Sequence, residues 1–396
     1  MAHSASASHP PPWLHRFAVF TAAATLALIC FGGLVTSHGA GLAVPDWPNT
    51  YGYNLFFFPI SKWVGGIFYE HTHRLAGAGV GLLTLILAAW LWRKEARAWV
   101  RWLGVLAFAG VVVQGVLGGL RVVLLKDQLG IVHGAAAQLF FMLVCLIALA
   151  TSRWWLEAES AGGNTTPGPS GEAPNPVAAG VMRPSLQGDP RLLTSSSAVL
   201  KRPQVRLVVC LLVATLLVFG QLLLGAAMRH RHVGLAVPDF PLAYGRFWPR
   251  TDAGSLARYN QQREETQAVK PITAYDVQLQ MMHRLGACLV AGAVGGTWWI
   301  TRRRLGRGHV LRTSLFAWIG LVGLQFGLGA ATVWTGKSAD VATAHVAVGS
   351  LILALGGLQT AAAFRLSVSP RGRESLAGEA AAQTRANGAV EQPAQP

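Results

Sequence analysis

Charged residues are scarce in this 396-residue chain. They make up 13% of it, against 52% hydrophobic residues, and this charged fraction is about half of what a soluble domain usually carries. Acids are the scarcest, with 17 Asp and Glu against 33 Lys and Arg. A soluble helical protein is excluded by stretches such as AGVGLLTLILAAWLW, which offer no polar face. Only four cysteines are present, and all of them lie inside apolar runs, so no loop disulfide can form: Cys30, Cys145, Cys210 and Cys288.

The chain contains many long apolar segments. A helix needs about 20 such residues to cross a bilayer, and eight stretches are long enough. They predict an all-α integral membrane protein with eight transmembrane helices. The expected spans are 16–36, 71–92, 103–125, 130–152, 206–228, 280–300, 311–333 and 342–364.

The basic residues follow a pattern that is typical of membrane proteins. With the N-terminus in the cytoplasm, 20 of the 33 Lys and Arg fall on the inner side, as the positive-inside rule requires. The net charge of +16 is therefore explained without nucleic acid, which we do not expect as a partner. We expect a multi-pass protein of the inner (plasma) membrane, in contact with lipid, with both termini cytoplasmic.

A repeated loop divides the chain into two halves. GLAVPDWPNTYG at 41–52 and GLAVPDFPLAYG at 234–245 share nine of twelve positions, and each follows the first helix of a half. The fold prediction is two pseudo-symmetric four-helix bundles in parallel orientation. The expected boundaries are an N-terminal cytoplasmic segment at 1–15, a first bundle at 16–152, a flexible cytoplasmic linker at 153–205, a second bundle at 206–364 and a disordered cytoplasmic tail at 365–396.

Two histidines recur in each half. HRLAG at His73 matches HRLGA at His283, and VHGAA at His133 matches AHVAVG at His345, with spacings of 60 and 62 residues. All four should lie near the outer face, where side chains that converge in a bundle core can hold a metal or cofactor. Packing histidines are the alternative for any single one. Two histidines a half are too few for structural zinc, but two axial imidazoles suit haem iron. Arg74 and Arg284 are placed either for haem propionates or for lipid headgroups.

These motifs together resemble the haem A synthase family. They are EHTHRLAG, QGVLGGLRV, VHGAAAQ, HRLGA, AHVAVG and the GLAVPDWP loop, and they cover both halves but not the linker or the tail. The resemblance implies oxidation of the C8 methyl of haem O to the formyl group of haem A by successive hydroxylation. It implies a haem b cofactor on His283 and His345, and a substrate haem at His73 and His133. An external electron donor, contact with a haem O synthase and a homo-oligomer are the further partners that we expect.

The halves differ where the resemblance places the reaction. Glu70 stands three residues before His73, and Gln280 stands three residues before His283. Because positions i and i+3 share a helix face, Glu70 is the candidate catalytic residue, able to move protons or to stabilise developing positive charge. The alternative is a solvated acid at a helix N-terminus.

One departure from the family concerns the outer loop. Many members have a cysteine pair there, whereas this chain has Val44 and Thr50 at the matching positions. Thiol–disulfide chemistry at this loop is therefore unavailable. Two other functional classes stay open from the sequence, namely a di-haem electron-transfer protein without oxygenase activity and a haem-related transporter.

Overall fold

The computed structural model describes residues 11–163, 202–264, 271–303, 305–306 and 308–368. Ten α-helices lie in these ranges, and the described residues contain no β-strand. Eight of the helices have 24 to 30 residues. The helices are α1 (Pro12–Ser37), α2 (Gly65–Lys94), α3 (Ala98–Leu124), α4 (Asp127–Ala150), α5 (Arg153–Gly163), α6 (Arg202–His230), α7 (Ala253–Glu264), α8 (Ala274–Arg302), α9 (Val310–Trp334) and α10 (Ala339–Val368).

Seven of the long helices are apolar enough to cross a membrane, which confirms the all-helical membrane protein. Helix α8 is long enough but is not among the seven. Its first turns carry polar residues such as Asp276 and Gln280, and both are buried inside the protein. A transmembrane α8 therefore stays a prediction.

The helices pack in the same order in both halves. Helices α1, α2, α3 and α4 form a closed ring of contacts, and so do α6, α8, α9 and α10. The two rings meet where α1 and α4 contact α10, and where α4 also contacts α6. We call this contact region the seam. It brings the C-terminal ends of α3 and α6 close to the N-terminal end of α4.

Glycine helps to end the first helix of the chain. The N–H of His38 donates to the carbonyl of Leu34 at 2.9 Å, and Gly39 follows with φ of +64°. This backbone region favours glycine, which is the usual residue just after a helix. The chain then turns into the repeated loop.

Part of the predicted linker is helical. Helix α5 covers its first eleven residues, Arg153–Gly163, and α6 begins at Arg202. Residues 164–201 lie outside the described residues, as do residues 1–10 of the predicted N-terminal segment and residues 369–396 of the predicted tail.

Candidate functional site

One cavity of about 640 Å³ runs through both rings of helices. This volume falls within the range of ordinary ligand pockets. Its wall contains every site residue that the sequence analysis proposed: Glu70, His73, Arg74, His133, His283, Arg284 and His345. The structure thus brings together residues that are up to 275 positions apart in the chain.

Each of the four histidine rings lies against a glycine of the preceding long helix. A Cβ added to that glycine would approach the ring's Cε1 more closely than nearly all real Cβ contacts, so a side chain there would displace the ring. The four pairs are His73 with Gly32 at 3.0 Å, His133 with Gly118 at 3.4 Å, His283 with Gly225 at 3.2 Å and His345 with Gly329 at 3.2 Å. We call these four positions the histidine cradles. They are repeated features of both halves.

The second pair of histidines is close together. The ring centroids of His283 and His345 are 6.4 Å apart, with an angle of 65° between the ring planes. A metal–imidazole bond is about 2 Å long, so this separation accommodates one metal ion between the rings. Gln221 on α6 contacts Nδ1 of His283 at 3.0 Å and also donates to its carbonyl at 2.8 Å.

The first pair has a different environment. His73 and His133 make no comparable ring contact within the described residues. Nδ1 of each is buried without a hydrogen-bond partner, as is Nδ1 of His345, so only His283 has a side-chain partner at that atom. The position that matches Gln221 is Leu28, which cannot donate a hydrogen bond. The two pairs therefore share their glycine cradles but differ in polar support.

The donor set fits a metal that brings its own planar ligands. Among the described residues, no group of three His, Cys, Asp or Glu side chains is placed to hold a metal ion alone. Each half supplies two imidazoles, and two imidazoles suit haem iron, whose remaining ligands come from the porphyrin. The histidine cradles and the cavity supply the space that such a ring needs.

The repeated loop has the same internal hydrogen bonds in both halves. In the first half, Asp46 accepts from the backbone N–H groups of Tyr51 and Gly52 at 2.7 and 2.8 Å. The hydroxyl of Tyr51 donates to the carbonyl of Ala43 at 2.6 Å. Burial would raise the pKa of Asp46, but these N–H donors and the nearby Arg74 hold it below its usual value. The matching bonds of the second loop are made by Asp239, Tyr244, Gly245 and Ala236.

Arg74 fixes the first loop to α2. Its guanidinium donates to the carbonyls of Asp46, Asn49 and Val44 at 2.7 to 2.9 Å, and to the carboxylate of Glu70 at 2.8 Å. Because an arginine has five N–H donors, few remain for another ligand.

Arg284 does the same for the second loop. It donates to the carbonyls of Leu242 and Asp239 at 2.8 and 2.7 Å, and to that of Val237 at 3.3 Å. The sequence predicts haem propionates or lipid headgroups as the partners of both arginines. In the structure, both arginines act as clamps that hold the repeated loops while they also line the cavity.

Glu70 and Gln280 occupy matching places in these clamps. Both are buried, and Glu70 accepts from the N–H of Val44 at 2.9 Å while Gln280 accepts from the N–H of Val237 at 2.7 Å. Gln280 also donates to the carbonyl of Val237 at 3.1 Å. Glu70 is therefore a buried carboxylate within the cavity wall rather than a solvated surface acid.

The aromatic residue of each loop lies over the cavity. Trp47 contacts the backbone position of Gly119 on α3, where a Cβ would collide with the indole ring. The smaller Phe240 lies 6.0 Å from both Phe326 and Trp334 on α9, measured between ring centroids. Both residues line the cavity, so each loop covers the cavity in its own half.

His71 lies outside the cavity, as its helical position predicts. It is fully buried, lies 3.1 Å from the hydroxyl of Thr50 and packs on Phe58 and Trp63. The histidine thus anchors the first loop.

The sequence analysis missed several cations in the cavity wall. The wall carries five Arg or Lys side chains but only one acid, Glu70. Arg229 crosses the seam and donates to Thr36 at 2.6 Å, to Ser37 at 2.7 Å and to the carbonyl of Gly33. The two other missed cations are Arg121 and Lys337. Comparison of the halves could have found Arg121, because its matching position is Thr332.

Comparison with known proteins agrees with this geometry. The heme A synthase of Methylobacterium sp. (strain 4-46) is 26% identical over 395 residues, which is 88% of this chain and 96% of that protein. The heme A synthases of Shouchella clausii (strain KSM-K16) and Geobacillus kaustophilus (strain HTA426) are 31% and 30% identical over 141 and 144 residues. The matches to these two cover about a third of this chain, and 46% and 43% of those proteins. The model of the COX15-CtaA family, described as cytochrome oxidase assembly protein, matches residues 53–356. Since this match covers most of the chain, the protein belongs to the COX15-CtaA family.

Proposed function

We propose that the chain is a haem A synthase, which oxidises the C8 methyl of haem O to the formyl group of haem A. The observation that carries the proposal is the placement of two histidine pairs, one from each half, in a single cavity. Family membership and relatives named heme A synthase support the same reading.

The second half is the proposed cofactor site. His283 and His345 would hold haem b, since their rings are 6.4 Å apart. A haem b held there would supply one-electron transfer, and an external donor would provide the electrons. Gln221 and the glycine cradles keep the two rings in place.

The first half is the proposed reaction site. His73 and His133 would bind the substrate haem, and Glu70 lies three residues before His73 on the same helix. As the single acid of the cavity wall, Glu70 can accept a proton or offset positive charge that develops on the substrate methyl. Trp47 and its loop cover this half and limit the access of water.

Further parts of the proposal concern the membrane. Eight spans, including α8, and two pseudo-symmetric bundles are supported by the matching order of helix contacts in the two rings. Both termini in the cytoplasm, the plasma membrane as the location and sites near the outer face are supported by the distribution of Lys and Arg. Contact with a haem O synthase and homo-oligomer formation belong to the same proposal.

A di-haem electron-transfer protein is the second candidate, because both halves carry a histidine pair. The difference between Glu70 and Gln280, in otherwise matching loop clamps, favours the enzyme. Co-expression with a haem O synthase, followed by mass analysis of extracted haems, separates the two. We expect haem A only when the chain is present. Unchanged haem O would support electron transfer alone.

A further inference from the structure

Two nitrogen-rich side chains from different halves converge on one glycine at the seam. If Gly130 on α4 had a Cβ, it would lie 2.5 Å from Nδ1 of His230 and 3.1 Å from Nε of Arg121. His230 ends α6, and Arg121 lies near the end of α3. We call Arg121 and His230 the seam pair.

The seam pair has no anionic partner among the described residues. His230 is 8% exposed and lines the cavity, and neither its side chain nor that of Arg121 forms a hydrogen bond or an ion pair in the described ranges. The nearest acids are Glu70, which is engaged by Arg74 and the N–H of Val44, and Asp127, which is exposed.

This arrangement is costly without a ligand. Polar and ionisable groups in the membrane region normally face a partner or a functional cavity, and an unpaired buried charge is strongly destabilising. Three of the other four cations of the wall, Arg74, Arg229 and Arg284, donate to protein acceptors. The seam pair is therefore suited to an anionic group that enters from the cavity.

The position of the seam pair indicates which ligand would carry the anionic group. Gly130 lies three residues before His133 on α4, which places the two on the same helix face, about 4.5 Å apart along the axis. The seam pair is thus adjacent to the first-half histidines.

The matching place beside His283 and His345 lacks all three elements of this arrangement. The residues that match Arg121, His230 and Gly130 in the other half are Thr332, Ser37 and Ala342. The internal repeat thus makes the seam pair a special feature of the first-half site.

We propose that Arg121 and His230 form a carboxylate site, shared between the halves, for a porphyrin that is bound at His73 and His133. The inference rests on the proposed function and deepens it, because it names the groups that recognise the acidic edge of the substrate. It also assigns the second half a direct contact with the substrate, through His230. Bidentate N–H donors of arginine match a carboxylate well.

The test compares two rings that differ only in their carboxylates. Iron protoporphyrin IX and its dimethyl ester are titrated into the purified full-length protein, and binding is followed by absorbance. The signal of the first half is the part that is lost in His73→Ala. We expect the diacid to bind about 10- to 100-fold more tightly than the ester, as loss of a charged hydrogen bond implies.

Two variants copied from the repeat complete the test. Arg121→Thr introduces the residue of the other half, and it should remove the preference for the diacid while it leaves the affinity for the ester unchanged. His230→Ser should act in the same direction. Lys337→Leu removes a cation elsewhere in the wall, so it should change neither affinity. Retention of haem in the second half checks that each variant is folded.

The outcomes separate this inference from the proposed function. Equal affinities of the unaltered protein for the two rings would assign the seam pair to a lipid phosphate or another anion, and would overturn the inference alone. An equal loss of both affinities in Arg121→Thr would also overturn it, because the effect would not depend on the carboxylates. If neither ring gives a signal that depends on His73, the proposed function fails as well.

Discussion

Glu70→Gln isolates the carboxylate that distinguishes the two halves. The change keeps the size of the side chain and removes its charge. A glutamine already occupies the matching place in the second half, where Gln280 holds the second loop. The variant therefore asks what the charge does, with little change in shape.

The structural cost of this variant can be worked out from the contacts of Glu70. The bond from the N–H of Val44 remains, since an amide oxygen can accept it. The ion pair with Arg74 at 2.8 Å is lost. This pair is largely buried, since the side chains of Arg74 and Glu70 are 11% and 5% exposed. A hydrogen bond between charged groups contributes about 1.5–3 kcal/mol. A new bond from the amide to the carbonyl of Val44, as Gln280 makes to Val237, recovers about 1 kcal/mol. The net loss of about 0.5–2 kcal/mol is small against the usual 5–15 kcal/mol of a folded domain.

The functional cost should be much larger. A neutral amide neither accepts a proton nor offsets a cation, and a positioned acid–base group contributes about 10²- to 10⁴-fold to the rate. The assay is the ratio of haem A to haem O in cells that also express a haem O synthase, together with the haem b content of the purified variant. We expect haem O or a partly oxidised alcohol to accumulate while haem b stays bound.

Gln280→Glu is the matched control for the effect of charge at this place in the fold. It adds a carboxylate to the second clamp and should leave the ratio of haem A to haem O high. Normal haem A production by Glu70→Gln with intact haem b would refute the catalytic role. Joint loss of haem b and haem A would show that Glu70 acts only by holding the loop.

Three further predictions follow from the histidine cradles and the outer loop. His345→Ala should abolish the low-spin, six-coordinate haem b spectrum of the purified protein, and a retained six-coordinate spectrum would exclude this ligand. Gly225→Val should displace the ring of His283 and weaken the same spectrum, whereas Gly220→Val on the same helix, with open space beside it, should leave it intact. Acidification should loosen the first loop. The pKa of Asp46 is lowered in the folded protein, so its carboxylate stabilises the folded loop at pH values above the ordinary pKa of Asp. That contribution is lost as the pH falls through the pKa of Asp46 in the folded protein. Hydrogen exchange of the two amides that Asp46 accepts measures this, and protection that is independent of pH would contradict it.

Helix positions were predictable because the apolar runs are long and unbroken. The predicted spans agree with the observed helices to within a few residues at most ends; for example, 311–333 corresponds to Val310–Trp334. The internal repeat identified the four histidines, since side chains at matching places in two similar halves can be found by comparing the halves. It did not predict α5, an eleven-residue helix at the start of a stretch rich in Gly, Pro, Ser and Ala.

The roles of the arginines were less accessible from sequence. Arg74 and Arg284 donate mainly to backbone carbonyls of the loops. Because every residue has a backbone carbonyl, the sequence does not indicate which ones these arginines contact. The convergence of Arg121 and His230 depends on how the two rings of helices meet at the seam. Comparing one half with the other shows that these residues are unmatched, but not that they are neighbours.

The division of labour between the halves is the central claim, and the haem content of purified His73→Ala measures it most directly. Haems are extracted from this variant and from the unaltered protein, both co-expressed with a haem O synthase, and are identified by mass. The account predicts that His73→Ala retains haem b at the level of the unaltered protein and contains neither haem O nor haem A. Loss of haem b from His73→Ala, or haem A bound to it in normal amount, would contradict the assignment of cofactor and substrate to separate halves.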